Sequence, residues 1–259
     1  MIIKSSENKN YKFLKSLLNK KYRTKEKLFL VEGIKVISES LEYFNPKYMA
    51  VSEDFYLKNQ NEEIIKTLEE STDFFFIFPD ILFNKLSDTE NPQGVIAYYT
   101  HIHKTGISTI NKGRYILLDD VKDPGNVGGI IRSADAFLID GVILTRECVD
   151  LYNPKLIRST MASIFRVNIY TIDEKSEILN LRKNGFKIVS TSIEKSKSSY
   201  NYSFEKNSVF IVGNEARGVS EEMFKYSDEN IHIPMSNKVD SLNVNVASSI
   251  IMYEMNRNE

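Results

Sequence analysis

The chain has 259 residues, 42% of them hydrophobic, which is enough to bury one large core or two modest ones, and two domains are the expectation. A single cysteine, Cys148, excludes an intrachain disulfide, and the opening Met-Ile-Ile-Lys-Ser-Ser-Glu has no signal-like apolar run, so a cytoplasmic protein is expected. No stretch approaches the ~20 consecutive apolar residues that cross a bilayer, and the net charge of −1 conceals a basic start, with nine Lys or Arg against Glu7 and Glu26 in residues 1–30.

Tyr11, Phe13 and Tyr22 are interleaved with those lysines. Two readings fit: a surface that tracks phosphates and offers rings for stacking on bases, or a solvated helix face whose aromatics pack inward. Tyr11, Leu14, Leu17 and Leu18 predict a helix over 8–23, and Phe29-Leu30-Val31 then predicts a strand closed by Glu32-Gly33. A helix over 34–43, a strand over 48–51, a helix over 62–70 and a strand over 74–78 stopped by Pro79 continue the alternation. A helical stretch at 81–86, a polar break at 88–92 and a strand over 94–99 complete a small helix-covered sheet.

Residues 100–113 are polar and carry two glycines, which suits a linker. The expected boundaries are a first domain at 1–103, a linker at 104–113 and a second domain at 114–259. His101 and His103 are read as solvated linker side chains rather than metal ligands, because a structural zinc site wants four soft or imidazole ligands, and no metal is expected.

Beyond Arg114 six apolar runs, 115–118, 142–144, 167–172, 186–189, 209–212 and 231–233, alternate with helix-like segments and predict a parallel sheet with helices on both faces. Asn153-Pro154 opens one helix, Asp173 precedes another that stops at Gly185, and Ser220-Glu221-Glu222 starts a third. Ser241 is expected to cap a final helix from Leu242 to about Arg257, with Val246, Ile250 and Tyr253 on one side.

The segment Gly125-Asn126-Val127-Gly128-Gly129-Ile130 lacks the Gly-Lys-Ser/Thr of a phosphate-cradling loop, and no Gly-x-Gly-x-x-Gly follows any strand. A hydrolase triad or a carboxylate-bound metal is not evident either, since Cys148 has no neighbouring His and the acidic residues of the expected site reduce to Asp119, Asp120, Asp123 and Glu215. Gly213 and Gly218 bracket Glu215 directly after an apolar strand and let backbone approach a ligand closely. Ile233-Pro234-Met235 is either an ordinary strand exit or one wall of an adenine pocket. Arg132, inside a helix predicted over 127–138, needs an anionic partner: Asp135 or Glu215 in a structural ion pair, or a nucleic-acid phosphate.

The combination Asn126…Arg132, Gly213-x-Glu215-x-x-Gly218 and Ile233-Pro234-Met235…Ser241-Leu242-Asn243-Val244 resembles the three motifs of the SpoU (TrmH-like) family of RNA 2′-O-ribose methyltransferases, in the SPOUT superfamily. The resemblance covers about residues 113–257, and Phe29-Leu30-Val31-Glu32-Gly33 makes the first domain similar to the substrate-binding domain often attached to that family. It implies an α/β fold, a parallel sheet with a C-terminal trefoil knot preceded by a small α/β substrate-binding domain. It also implies S-adenosylmethionine as cofactor and a homodimer, with the final helix, through Ile251 and Met255, supplying an apolar interface.

On the same resemblance Gly213, Ile233 and Leu242 give backbone contacts to the cofactor, with Thr191, Asn214 and Met235 nearby. Asn126, Arg132, Glu215, Ser241 and Asn243 surround the methyl and the ribose. Asn245 departs from the small residue common at its position. The implied substrate is RNA, with 23S ribosomal RNA favoured over transfer RNA because of the two-domain layout. Two further classes stay open: a non-catalytic RNA-binding protein of the same fold, and a small-molecule methyltransferase.

Overall fold

The computed structural model describes residues 1–192, 196–236, 238 and 241–257. It divides into two compact units, Met1–His101 with Tyr152–Phe165, and Ile102–Leu151 with Arg166–Glu259.

The first unit opens with α1 (Lys9–Ser16) and α2 (Lys20–Glu26), two helices where periodicity predicts one. Asn19 causes the break, since its side chain accepts from the Lys21 amide and so caps a new helix. Then follow β1 (Leu28–Glu32), α3 (Ile34–Ser40), β2 (Tyr48–Ser52), α4 (Glu53–Asn59), α5 (Glu63–Glu70), β3 (Phe75–Phe78), α6 (Asp80–Phe83) and β4 (Val95–Thr100). The sheet order is β1-β4-β2-β3, with β4 antiparallel to both neighbours and β2 parallel to β3. Tyr11, Leu14 and Leu17 bury one face of the first helical segment against Phe76, Phe78, Ile96 and Tyr98. Tyr11 is therefore core, and Arg23 also turns inward, donating from Nη1 to the carbonyls of Leu17 at 3.1 Å and Leu18 at 2.7 Å.

The second unit contains β5 (Lys104–Thr105), β6 (Arg114–Asp119), α7 (Pro124–Ala136) and β7 (Gly141–Thr145). The chain next makes α8 (Pro154–Thr160), which belongs to the first unit, and returns for β8 (Asn168–Ile172), α9 (Ile178–Lys183), β9 (Lys187–Thr191), β10 (Lys197–Ser198), β11 (Ser208–Gly213), α10 (Glu221–Tyr226), β12 (Glu229–His232) and α11 (Val244–Asn256). All neighbours are parallel in the order β10-β12-β9-β11-β6-β7-β8-β5. The six expected strands are present; β5 and β10 are short additions at the two edges.

Three expectations need correction. Residues 104–113 are packed rather than a free linker, because Lys104–Thr105 pair with β8 and Ile107 and Ile110 are buried in the second core. His101 is not simply solvated, since its ring stacks on Tyr152 at 3.9 Å, and burial lowers the pKa of His103. Residues 152–165 pack with the first unit: Tyr152 stacks on Phe29 at 4.6 Å, Phe165 meets Tyr99 edge-on at 4.9 Å, and Arg158 pairs with Asp88 at 2.9 Å.

Candidate active site

Parallel strands point their carboxyl ends to one edge, which is where open α/β sheets place ligands. Thr191, Gly213 and the Ile233 that follows β12 stand at the ends of three adjacent strands, since β12, β9 and β11 are consecutive in the sheet. Thr191 Oγ1 donates to the Ile211 carbonyl at 3.5 Å. At Gly213 a Cβ would lie 2.0 Å from the Gly218 carbonyl carbon, so only glycine fits. The reason is a tight loop: the Asn214 amide donates to the Gly218 carbonyl at 3.0 Å and the Gly218 amide returns the bond at 2.8 Å.

Asn214 organises this loop from within. Its Oδ1 accepts from the amides of Ala216 at 3.0 Å and Arg217 at 3.2 Å, while its Nδ2 donates to the Asp120 carbonyl at 2.9 Å. Glu215 is thereby projected toward the start of α7, where its carboxylate accepts from the amides of Lys122 at 3.4 Å and Asp123 at 3.2 Å and from Asn126 Nδ2 at 3.0 Å. Partial burial pushes its pKa upward, but these donors, Asn126 first, outweigh it and hold the carboxyl below its ordinary value.

The start of α7 is itself built by sequence. Asp123 caps it by accepting the Asn126 amide at 2.8 Å, and Pro124 occupies the first turn, where its missing N–H is harmless. Asn126 Oδ1 then accepts from Asn243 Nδ2 at 2.9 Å. Asn243, and not Ser241, caps the last helix, because Asn243 Oδ1 accepts from the amides of Asn245 and Val246. Ser241 and Leu242 precede the helix outside any regular element, Ser241 exposed and Leu242 half-buried.

The structure thus joins Glu215, Asn126 and Asn243 in one hydrogen-bonded line. Arg132 lies on α7, exposed, and no hydrogen bond or ion pair among the described residues engages it. Neither candidate partner is available to it: Asp135 pairs with Arg166 at 2.8 Å, and Glu215 is committed as described. No hydrogen bond among the described residues ties Ser241 to the line. Ile233 and Leu242 are half-buried and Met235 is 36% exposed, so apolar side chains stay partly open at this edge. Apolar surface of this kind suits the faces of a flat ring.

The packing of α11 along α7 holds the line in register. Ser133 and Ser249 hydroxyls meet at 2.8 Å, and Asn245, the departure from a small residue, is accommodated opposite Gly129, where a Cβ would approach its Nδ2 to 2.5 Å. Ile251 and Met255 are buried within the chain, so they are not an interface; the outward apolar groups are Val246, Tyr253 and Leu138 at 46%, 53% and 80% exposure.

The sequence places Asp119 and Asp120 among the acidic residues of the site, but not the cations that pair with them beside the motif loop. Asp119, 1% exposed, pairs with Lys175 at 2.6 Å and accepts the Ser220 amide at 2.8 Å. Asp120, at φ 61°, pairs with both Lys122 and Arg217. A cavity of about 490 Å³ is lined by these residues, and of the expected cofactor residues only Asn214 borders it. Asp-Pro-Gly after an apolar strand is the readable signal for Asp123 as a cap; the pairs of Asp119 with Lys175 and Asp120 with Arg217 have none, because those partners lie 56 and 97 residues away in sequence. Cys148 is held by the Leu118 carbonyl at 3.2 Å, and burial raises its thiol pKa, which leaves it a poor nucleophile.

Comparison with known proteins adds the ancestry. Residues 113–253 match the model of the SpoU rRNA Methylase family, and residues 8–97 match that of the MRM3-like substrate binding domain. The chain is 31% identical, over 98% of both lengths, to the 23S rRNA (guanosine(2553)-2'-O)-methyltransferase RlmP of Bacillus subtilis. It is similar to the AdoMet-bound rRNA methyltransferase of Sinorhizobium meliloti, with a TM-score of 0.89 and 26% identity over 100% of this chain and 98% of that one. It also resembles the SpoU methyltransferase AviRb of Streptomyces viridochromogenes in complex with AdoMet, with a TM-score of 0.86 and 26% identity over 97% and 98% of the two chains. One family model spanning more than half of the sequence, and one relative matching along nearly all of it, lead to the same place: the chain belongs to the SpoU rRNA methylase family.

Proposed function

We propose that this protein methylates a ribose 2′-hydroxyl of 23S ribosomal RNA with S-adenosylmethionine as donor. The observation that carries the reading is an exposed Arg132, uncommitted among the described residues, on the helix whose first turn carries the Glu215–Asn126–Asn243 line. The named relatives act on ribosomal RNA, and solved relatives bind AdoMet.

The cofactor, when bound, supplies a sulfonium-activated methyl group. Gly213, Ile233 and Leu242 hold it through backbone groups, with Thr191, Asn214 and Met235 beside them. The remaining work falls on the chain. A 2′-hydroxyl is a poor nucleophile, so the site must fix its direction of attack and help remove its proton. A guanidinium is too weak an acid to give up its proton; Arg132 therefore binds the adjacent phosphate and stabilises charge on the ribose oxygen, and the proton leaves to that phosphate or to water. Asn126, Ser241 and Asn243 position the ribose. Glu215 acts as a positioning residue, fixing Asn126 and the Lys122–Asp123 backbone rather than the arginine.

The first unit binds the RNA and the second carries the reaction. Beyond β12 the chain is threaded as a trefoil knot; what supports this is family membership and the packing of α11 against α7 and β11. The protein works in the cytoplasm as a homodimer through the outward stripe of Val246, Tyr253 and Leu138, and Tyr253→Glu is expected to give a monomer in multi-angle scattering.

The test is transfer of labelled methyl to unmodified ribosomal RNA. Wild type should yield one alkali-resistant ribose, and Arg132→Ala should lose about 10²- to 10³-fold in kcat with cofactor affinity intact. No transfer to any RNA despite cofactor binding would overturn the reading.

A further inference from the structure

Aromatic side chains at the edge of the first unit's sheet grade from core to solvent. Phe76, 2% exposed, stacks with half-buried Tyr48 at 6.5 Å. Tyr48 in turn meets Phe74 at 5.2 Å and Phe13 of α1 edge-on at 5.5 Å. Phe74 is 47% exposed although the chain around it is tied down. Its amide donates to Thr72 Oγ1 at 3.2 Å, that hydroxyl donates to the Lys47 carbonyl at 3.0 Å, and the Met49 amide donates to the Phe74 carbonyl at 3.0 Å. A large ring is thus held open to solvent by its own backbone.

The charges around the rings select the occupant. Lys47 Nζ stands 5.7 Å over the Tyr48 ring, and Lys9 lies one helical turn before Phe13 on the same face of α1. Asp73 adjoins Phe74, and Glu69 and Glu70 end the preceding helix, against the basic surplus of residues 1–30. An apolar protein surface would have to bury those ammonium groups, whereas an unpaired nucleotide brings a π-face for the rings and phosphates for the lysines.

We propose that Phe13, Tyr48 and Phe74 form a stacking platform for an unpaired nucleotide of the substrate RNA, with Lys9 and Lys47 on its flanking phosphates. This rests on the RNA-methylating function above and locates where the first unit grips its substrate.

The chain has no tryptophan, so Phe74→Trp introduces a single reporter on the platform. Titration of that full-length variant with an unmodified 23S ribosomal RNA transcript should quench its emission. Heparin, a polyanion without bases, should bind and leave the emission unchanged. In parallel, Phe74→Ala and Phe74→Leu should raise KM for the transcript about five- to ten-fold, with kcat, cofactor affinity and Tm unchanged. Unquenched indole emission from a Phe74→Trp complex that still methylates, or a Phe74→Ala enzyme with wild-type KM, overturns the platform and leaves the enzymatic reading standing. A wild-type protein that neither binds nor methylates the transcript overturns both.

Discussion

Asn243 Nδ2 donates to Asn126 Oδ1 at 2.9 Å, joining the first turns of two helices whose residues are 117 apart in sequence. The same Asn126 donates from Nδ2 to Glu215, so both ends of one amide are used. Its orientation is thereby set, oxygen to Asn243 and nitrogen to Glu215.

Because one amide serves both neighbours, removal of either asparagine should release the same geometry. Asn126→Ala and Asn243→Ala are each expected to lower kcat about 10²-fold, the scale of a small misplacement of reacting groups. The double variant should fall little below the worse single one, and a full double-mutant cycle measures it. Multiplicative losses would show that the two residues act separately.

Gly213→Ala should abolish cofactor binding and cost stability together. Its Cβ would lie within 2.2 Å of three backbone atoms of Gly218 and Val219, which no rotamer relieves. Calorimetric titration with S-adenosylmethionine should show no heat for this variant, whereas Gly185→Ala, strained by its φ of +83° but with nothing near its Cβ, should lose some stability and still bind normally.

Glu215 gives a pH dependence with a defined sign. Its folded pKa lies below the ordinary 4.5, so it favours the folded state while ionised in both states, and that contribution is lost as pH falls through the folded value. The difference in Tm between wild type and Glu215→Gln should therefore be flat from about pH 8 to about pH 5 and shrink under more acid conditions. An exposed carboxylate makes this a small effect, and the larger one is a fall in kcat at neutral pH.

Lys175→Met should destabilise more than any surface change. It would leave Asp119, 1% exposed, without its cation, and breaking a buried pair costs about 3 kcal/mol. Denaturant unfolding measures the loss; the double change Lys175→Met, Asp119→Leu should recover part of it.

What the sequence by itself determined is the part written in local patterns. Apolar runs of strand length alternating with helix signals gave the parallel sheet, and the glycines around Glu215 marked a loop that only a missing Cβ permits. The order of the three motifs pointed to the family before any contact was known. A hydroxyl before an apolar run is the usual capping signal and points to Ser241, yet Asn243 two residues on offers the same chemistry and captures the amides. Tertiary structure alone decided the Asn243–Asn126–Glu215 line, the ion pair that removes Asp135 from Arg132, and the departure of residues 152–165 to the first unit. It also turned Ile251 and Met255 inward and left Val246 and Tyr253 outside. Periodicity says that a helix has an apolar face; which surface covers it, and which side chains meet across a hundred residues, depends on how strands register and helices pack, and no local pattern encodes that.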